Sequence, residues 1–148
     1  MMSVLQPIVE TSFSHEVLPV EEKPPKRIVM VDDSALYTET WRAVLSCRYG
    51  ERMQFESYQD PIEAAKHLTP EIDLLLLDLE MPVLDGRKLC SFAQGRGISC
   101  RRIVILSARP AEELHAIFPP HSCLAVINKT EANQQQAFFM ILDSIMKR

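Results

Sequence analysis

Short apolar runs that stop abruptly at a polar group recur along this chain, separated by stretches whose apolar positions fall three and four residues apart. The most marked run is Ile72 to Leu77, where four successive leucines end at Asp78. A strand of a parallel sheet is covered on both faces, so alternation disappears and an unbroken apolar run remains. Ile28 to Val31, ending at Asp32-Asp33-Ser34, reads the same way, as do Arg102 to Leu106, ending at Ser107-Ala108, and Cys123 to Ile127, ending at Asn128-Lys129. Met53 to Tyr58 alternates and reads as a strand nearer an edge.

Between these runs the spacing predicts helices. Ser34 caps the first, with Tyr37, Trp41, Val44 and Leu45 inward and Tyr49-Gly50 at its close. Asp60-Pro61-Ile62-Glu63 starts the second, which carries Ile62, Ala65 and Leu68 inward and stops before Pro70. Met81-Pro82 and Asp85-Gly86 redirect the backbone after the leucine run, the latter as a turn. Leu89, Phe92 and Ala93 mark a short third helix that Gly95 and Gly97 terminate. Pro110 with Glu112 and Glu113 opens a fourth, bearing Leu114, Ile117 and Phe118 and stopped by Pro119-Pro120. Glu131 to Met146 is the fifth, with Phe138, Ile141, Leu142, Ile145 and Met146 forming a core stripe. Phe139 at the margin of that stripe and Met140 opposite it hint at a partner or dimer surface.

Five strands alternating with five helices predict an α/β fold, a doubly wound five-stranded parallel sheet of (βα)5 form. In open sheets of this class ligands bind outside the carboxyl ends of the strands. That edge receives Asp32, Asp33, Asp78, Ser107 and Lys129. Any one of them has an ordinary explanation as a cap, a turn or a solvated loop residue. The ordered set is what carries the signal.

Composition narrows this picture. The chain has 148 residues, 47% hydrophobic and 24% charged, which suits one domain with one core. A formal charge of -4 argues against direct nucleic-acid binding, which needs a basic face. Cys47, Cys90, Cys100 and Cys123 form no C-x-x-C pair and read as reduced, semi-buried core residues. No apolar run is long enough for membrane insertion, and the start has no basic signal region, so a cytoplasmic location is expected. Residues 1–26 mix prolines and isolated apolar groups and read as a flexible N-terminal arm, leaving residues 27–148 as the folded domain.

Carboxylates converging on one edge repel one another by about 4 kcal/mol at ~4 Å and an effective dielectric of ~20, so a cation must share the site. Hard oxygen donors with room for water suit Mg²⁺, and the absence of cysteine and histidine from these loops disfavours zinc. A metal, a lysine, a hydroxyl and a carboxylate able to act as nucleophile are the parts that stabilise a phosphoryl group. Neither G-x-x-x-x-G-K-[ST] nor G-x-G-x-x-G is present, so the donor is not expected to be a nucleotide held by such a loop.

Taken in order, Asp32-Asp33, Asp78 with Glu80-Met81-Pro82 and Asp85-Gly86, Ser107-Ala108 and Lys129 resemble the receiver domain of two-component response regulators, from about Lys26 to the C-terminus. The resemblance implies the flavodoxin-like strand order 2-1-3-4-5. It implies that Asp78 accepts a phosphoryl group from a histidine kinase or histidine phosphotransfer protein. Asp33 would bind Mg²⁺ directly, Asp32 through metal-bound water, and Glu80 through its backbone carbonyl. Lys129 would pair with phosphoryl oxygens, and Ser107 would move to bond them. The change would be passed to a downstream protein through the face of helix four, strand five and helix five. Such a domain is a phosphoacceptor rather than an enzyme. Because the chain stops after the fifth helix, a stand-alone regulator is expected. Two positions depart from the family's pattern: Thr130 stands where proline usually follows the lysine, and Val126 stands where an aromatic switch residue is usual. These departures motivate an alternative, a phosphorylation-independent protein-interaction module.

Overall fold

The computed structural model describes residues 23–148. Residues 1–22, most of the expected arm, lie outside the described residues; Lys26, its last residue, opens the first strand. The elements run β1 (Lys26–Val31), α1 (Ala35–Tyr49), β2 (Met53–Tyr58), α2 (Pro61–Ala65), β3 (Leu74–Asp78), α3 (Gly86–Gly95), β4 (Ile103–Ser107), α4 (Ala111–Ile117), β5 (Ala125–Asn128) and α5 (Ala132–Lys147), with short 3-10 turns before β2 and β4. All strand pairs are parallel, and the order across the sheet is β2-β1-β3-β4-β5. This is the expected doubly wound arrangement. No helix among the described residues is long and apolar enough to cross a membrane.

The strands read as unbroken apolar runs because successive side chains feed two different cores. Val29, Val31, Leu75, Leu77, Ile103 and Ile105 point to the face covered by α2, α3 and α4. Their neighbours Ile28, Met30, Leu74, Leu76, Val104 and Leu106 point to the face covered by α1 and α5, where Trp41, Leu45, Phe138 and Leu142 pack. Each buried leucine of β3 is worth roughly 1.5–3 kcal/mol relative to exposure, which holds the strand's position in the sheet and hence the place of the acid at its end.

The helix starts follow their capping chemistry. Ser34 accepts from the Tyr37 amide, Asp60 from the Ile62 amide with Pro61 in the first turn, and Asp85 from the Lys88 amide. Gly50 and Gly97 take positive φ at helix ends, as expected of them. Asp85-Gly86 is the exception to the sequence reading. It is a helix start rather than a free turn, and Gly86 is required by close approach: a Cβ there would stand 2.6 Å from the Asp78 carbonyl oxygen and 2.8 Å from the Leu79 Cα.

Three apolar positions assigned inward are exposed. Val44, Ile62 and Phe92 all face solvent. In α2 the single helical turn turns Ala64 inward instead of Ile62. In α3 Cys90 takes the core place expected of Phe92, which lies under the Arg96 guanidinium. All four cysteines are free thiols; Cys47 is exposed, so the semi-buried reading fails for that one.

Candidate functional site

The carboxyl ends of β1, β3, β4 and β5 bring Asp32, Asp33, Asp78, Ser107 and Lys129 to one edge of the sheet. One carboxylate oxygen from each of Asp32, Asp33 and Asp78 lies within 4.8 Å of the others. Asp32 and Asp78 are buried and Asp33 is exposed. Lys129 Nζ bridges the two buried acids, at 2.6 Å from Asp32 Oδ2 and 3.2 Å from Asp78 Oδ1. Its position is fixed from the backbone outward, because the Lys129 amide donates to the Ser107 carbonyl at 2.8 Å.

The two buried acids are engaged differently. Asp32 uses both oxygens, Oδ2 for Lys129 and Oδ1 for the Ser34 amide at 2.9 Å. On Asp78, Oδ1 takes both the Lys129 ammonium and the Glu80 amide, the latter at 3.2 Å, and Oδ2 has no partner among the described residues. Burial pushes the Asp78 carboxyl up to about 7, with Lys129 pulling it down and Asp32 adding to the rise. For Lys129, burial works against the charged form, but the hydrogen bond to Asp32 and the charge of Asp78 outweigh it, and the net shift is upward. One ammonium thus serves two of three clustered acids, and the cluster remains short of positive charge.

That shortage, with only oxygen donors and one acid open to solvent, fits a hard divalent cation such as Mg²⁺, which binds few carboxylates and keeps its waters. Asp33 and the open oxygen of Asp78 are the donors free to hold it. Asp32, with both oxygens occupied, is placed to act through water.

Side chains that the sequence reading passed over complete the site. Glu80 is expected to act through its backbone carbonyl, yet its carboxylate accepts from Ser107 Oγ at 2.7 Å and pairs with Arg109 Nε at 3.1 Å. The Ser107 oxygen in turn accepts from the Arg109 amide at 3.0 Å. Asp78 pairs with Leu106 in the parallel ladder, so the residue two beyond Asp78 and the residues just beyond β4 leave the sheet side by side. That register is the signal from which the contact follows. Asn128 ties the Lys129 loop to its neighbour: its Nδ2 donates to the Arg109 carbonyl at 2.8 Å, and its Oδ1 accepts from the Thr130 amide and hydroxyl, both at 2.7 Å. Thr130, in the usual place of proline, thereby fixes the loop by hydrogen bonds. Val126 is half-buried against the α2–α4 core. Tyr37, read as a core residue of the first helix, lies with its ring against the Lys129 ammonium.

No protein-family model matches the chain. Among curated proteins it is 32% identical over 110 residues to a protein-glutamate methylesterase/protein-glutamine glutaminase of Myxococcus xanthus, a match covering 73% of this chain but 31% of that protein. The chain thus spans about a third of that relative's length. It is 29% identical over 113 residues to the chemotaxis protein CheY of Treponema pallidum, covering 66% of this chain and 69% of that one. Among solved structures, the receiver domain of the sensor histidine kinase PA1611 from Pseudomonas aeruginosa, described with a magnesium ion coordinated in its active-site cleft, superposes with a TM-score of 0.65 at 18% identity, covering 84% of this chain and 99% of that one. Other neighbours of the same fold are receiver domains of response regulators.

Proposed function

We propose that this chain, which has the receiver fold of two-component response regulators, accepts a phosphoryl group on Asp78 from a histidine kinase or a histidine phosphotransfer protein. The observation that carries the reading is the Lys129 bridge between Asp32 and Asp78, with Asp78 Oδ2 left open beside the exposed Asp33. An oxygen of Asp78 forms a bond to phosphorus as the phosphorus–nitrogen bond of a phosphohistidine breaks. The imidazole leaves with the electron pair and is protonated, and the product is an acyl phosphate. Asp33 and Asp78 directly, Asp32 through water and the Glu80 carbonyl would hold Mg²⁺, which when bound would neutralise charge on the phosphoryl oxygens. Lys129 pairs with one of those oxygens, and the Ser107 hydroxyl bonds another.

Ser107 starts from an occupied state, because its hydroxyl donates to the Glu80 carboxylate. A phosphoryl dianion on Asp78 offers that hydroxyl a more highly charged acceptor and repels Glu80, leaving Arg109 to follow one of the two. Arg109 stands directly before Pro110, the residue capping α4. The exchange is therefore a route from the acid to the face of α4, β5 and α5 that needs no aromatic rotor at position 126. A downstream protein that reads this face is the second partner of the reading.

The test is incubation with Mg²⁺ and phosphoramidate, followed by intact mass. The expected result is a base-labile phosphoryl adduct in the wild type, none in Asp78→Asn, and none on removal of Mg²⁺. A wild type that gains no adduct, or an Asp78→Asn variant that gains as much, overturns the assignment and leaves the phosphorylation-independent interaction module, which the absence of an aromatic at Val126 favours.

A further inference from the structure

Lys129 has a third neighbour besides its two acids. Its Nζ lies 4.4 Å from the centroid of the Tyr37 ring, a cation–π contact on a half-buried tyrosine. The ring is not a loose surface group. It packs edge-on against Trp41, with centroids 6.4 Å apart, and Trp41 packs edge-on against Phe138 at 4.8 Å, so Tyr37 is braced by the core between α1 and α5.

The three contacts differ in what a divalent cation does to them. Asp32 and Asp78 are the acids a cation would draw on, and a cation among them repels the ammonium. The ring face is the one partner that it does not compete for. Hydrogen bonds of the Lys129 amide and of Asn128 hold the loop backbone, and beyond it the direction of the long lysine side chain is set by what its head touches.

We propose that Tyr37 is a positioning residue for Lys129, its ring holding the ammonium beside Asp78 while the carboxylates serve the cation. This rests on the reading of Asp78 as phosphoacceptor. Without the ring, Lys129 gives way more readily, so Mg²⁺ binds at least as tightly as before while acceptance of the phosphoryl group slows. The contact is to the ring face, so phenylalanine serves as well as tyrosine.

The experiment compares wild type, Tyr37→Phe and Tyr37→Leu by three measurements: calorimetric titration with Mg²⁺ alone, the rate of adduct formation from phosphoramidate, and the proton shifts of the Lys129 ε-methylene group. In the wild type the ring face shields those protons. Tyr37→Phe is expected to match the wild type in all three. Tyr37→Leu is expected to move the ε protons downfield and slow adduct formation by about tenfold, the factor that a partly buried cation–π contact is worth, with Mg²⁺ affinity unchanged or higher. Loss of Mg²⁺ affinity together with rate in Tyr37→Leu would mark a merely structural ring and overturn the proposal. So would a Tyr37→Phe as deficient as Tyr37→Leu, or unshielded ε protons in the wild type. Should the wild type accept no phosphoryl group at all, the reading of Asp78 falls, while the shifts and the Mg²⁺ titration still decide whether the ring holds the lysine.

Discussion

The two edges of this sheet carry the same kinds of charged residue and treat them in opposite ways. At the amino edge Arg27 is satisfied on every side: its guanidinium takes Glu56 at 2.7 and 3.1 Å, Thr69 Oγ1 at 2.8 Å and the His67 carbonyl at 3.2 Å, and its backbone amide donates to Asp73 at 2.8 Å. The result is a Glu56 carboxyl held below its usual value, chiefly by the Arg27 hydrogen bond. At the carboxyl edge three acids cluster, one lysine reaches only two of them, and Asp78 rises to about 7. A carboxylate with a matched partner stabilises the fold; a carboxylate short of partners is held ready for one that arrives from outside. The position of charge at the strand ends separates stability from function on a single sheet.

Breaking each edge tests that division. The largest effect is expected for Lys129→Met, which leaves Asp32 and Asp78 buried without their cation: a loss of about 3 kcal/mol in urea denaturation without Mg²⁺, partly restored by added Mg²⁺, together with loss of phosphoryl acceptance. Arg27→Met at the opposite edge is expected to cost less, about 2 kcal/mol, because its ion pair retains some exposure on both sides. It should leave the rate of adduct formation unchanged and show no rescue by Mg²⁺. Equal Mg²⁺ rescue at the two edges would contradict the division.

The smallest effect, and one of opposite sign, belongs to Asp78→Asn. A carboxyl whose folded value is about 7 binds more protons folded than unfolded between its ordinary value of about 4 and about 7. Stability of the wild type without Mg²⁺ therefore falls as pH rises through that window and levels off above it. Asparagine does not titrate, so the variant should gain on the wild type as pH rises from about 4 and be the more stable above pH about 7, with the gap closing toward pH about 4. Thermal melts across that range check it, and a gap independent of pH would contradict the assigned strain.

Much of this is legible in the order of apolar and polar residues. The four leucines of β3 announce a strand buried on both faces, and the abrupt acid after it announces the edge. The exposed Val44, Ile62 and Phe92 show where periodicity fails: one stripe on a short helix has several rotations that bury similar area, and the sheet selects among them. Asp85-Gly86 shows a second limit, since a glycine demanded by the Asp78 carbonyl looks, in sequence, like a glycine demanded by a turn.

The sequence by itself determined the alternation of strands and helices and the delivery of Asp32, Asp33, Asp78, Ser107 and Lys129 to strand ends, because burial on two faces and capping leave local, short-range patterns. Only the tertiary structure decided that Glu80 engages Ser107 and Arg109, that Asp32 is saturated while Asp78 keeps an open oxygen, and that the Tyr37 ring holds Lys129. Most of those contacts join residues far apart in the chain, and all depend on ladder register, depth of burial and side-chain direction, which local periodicity does not encode.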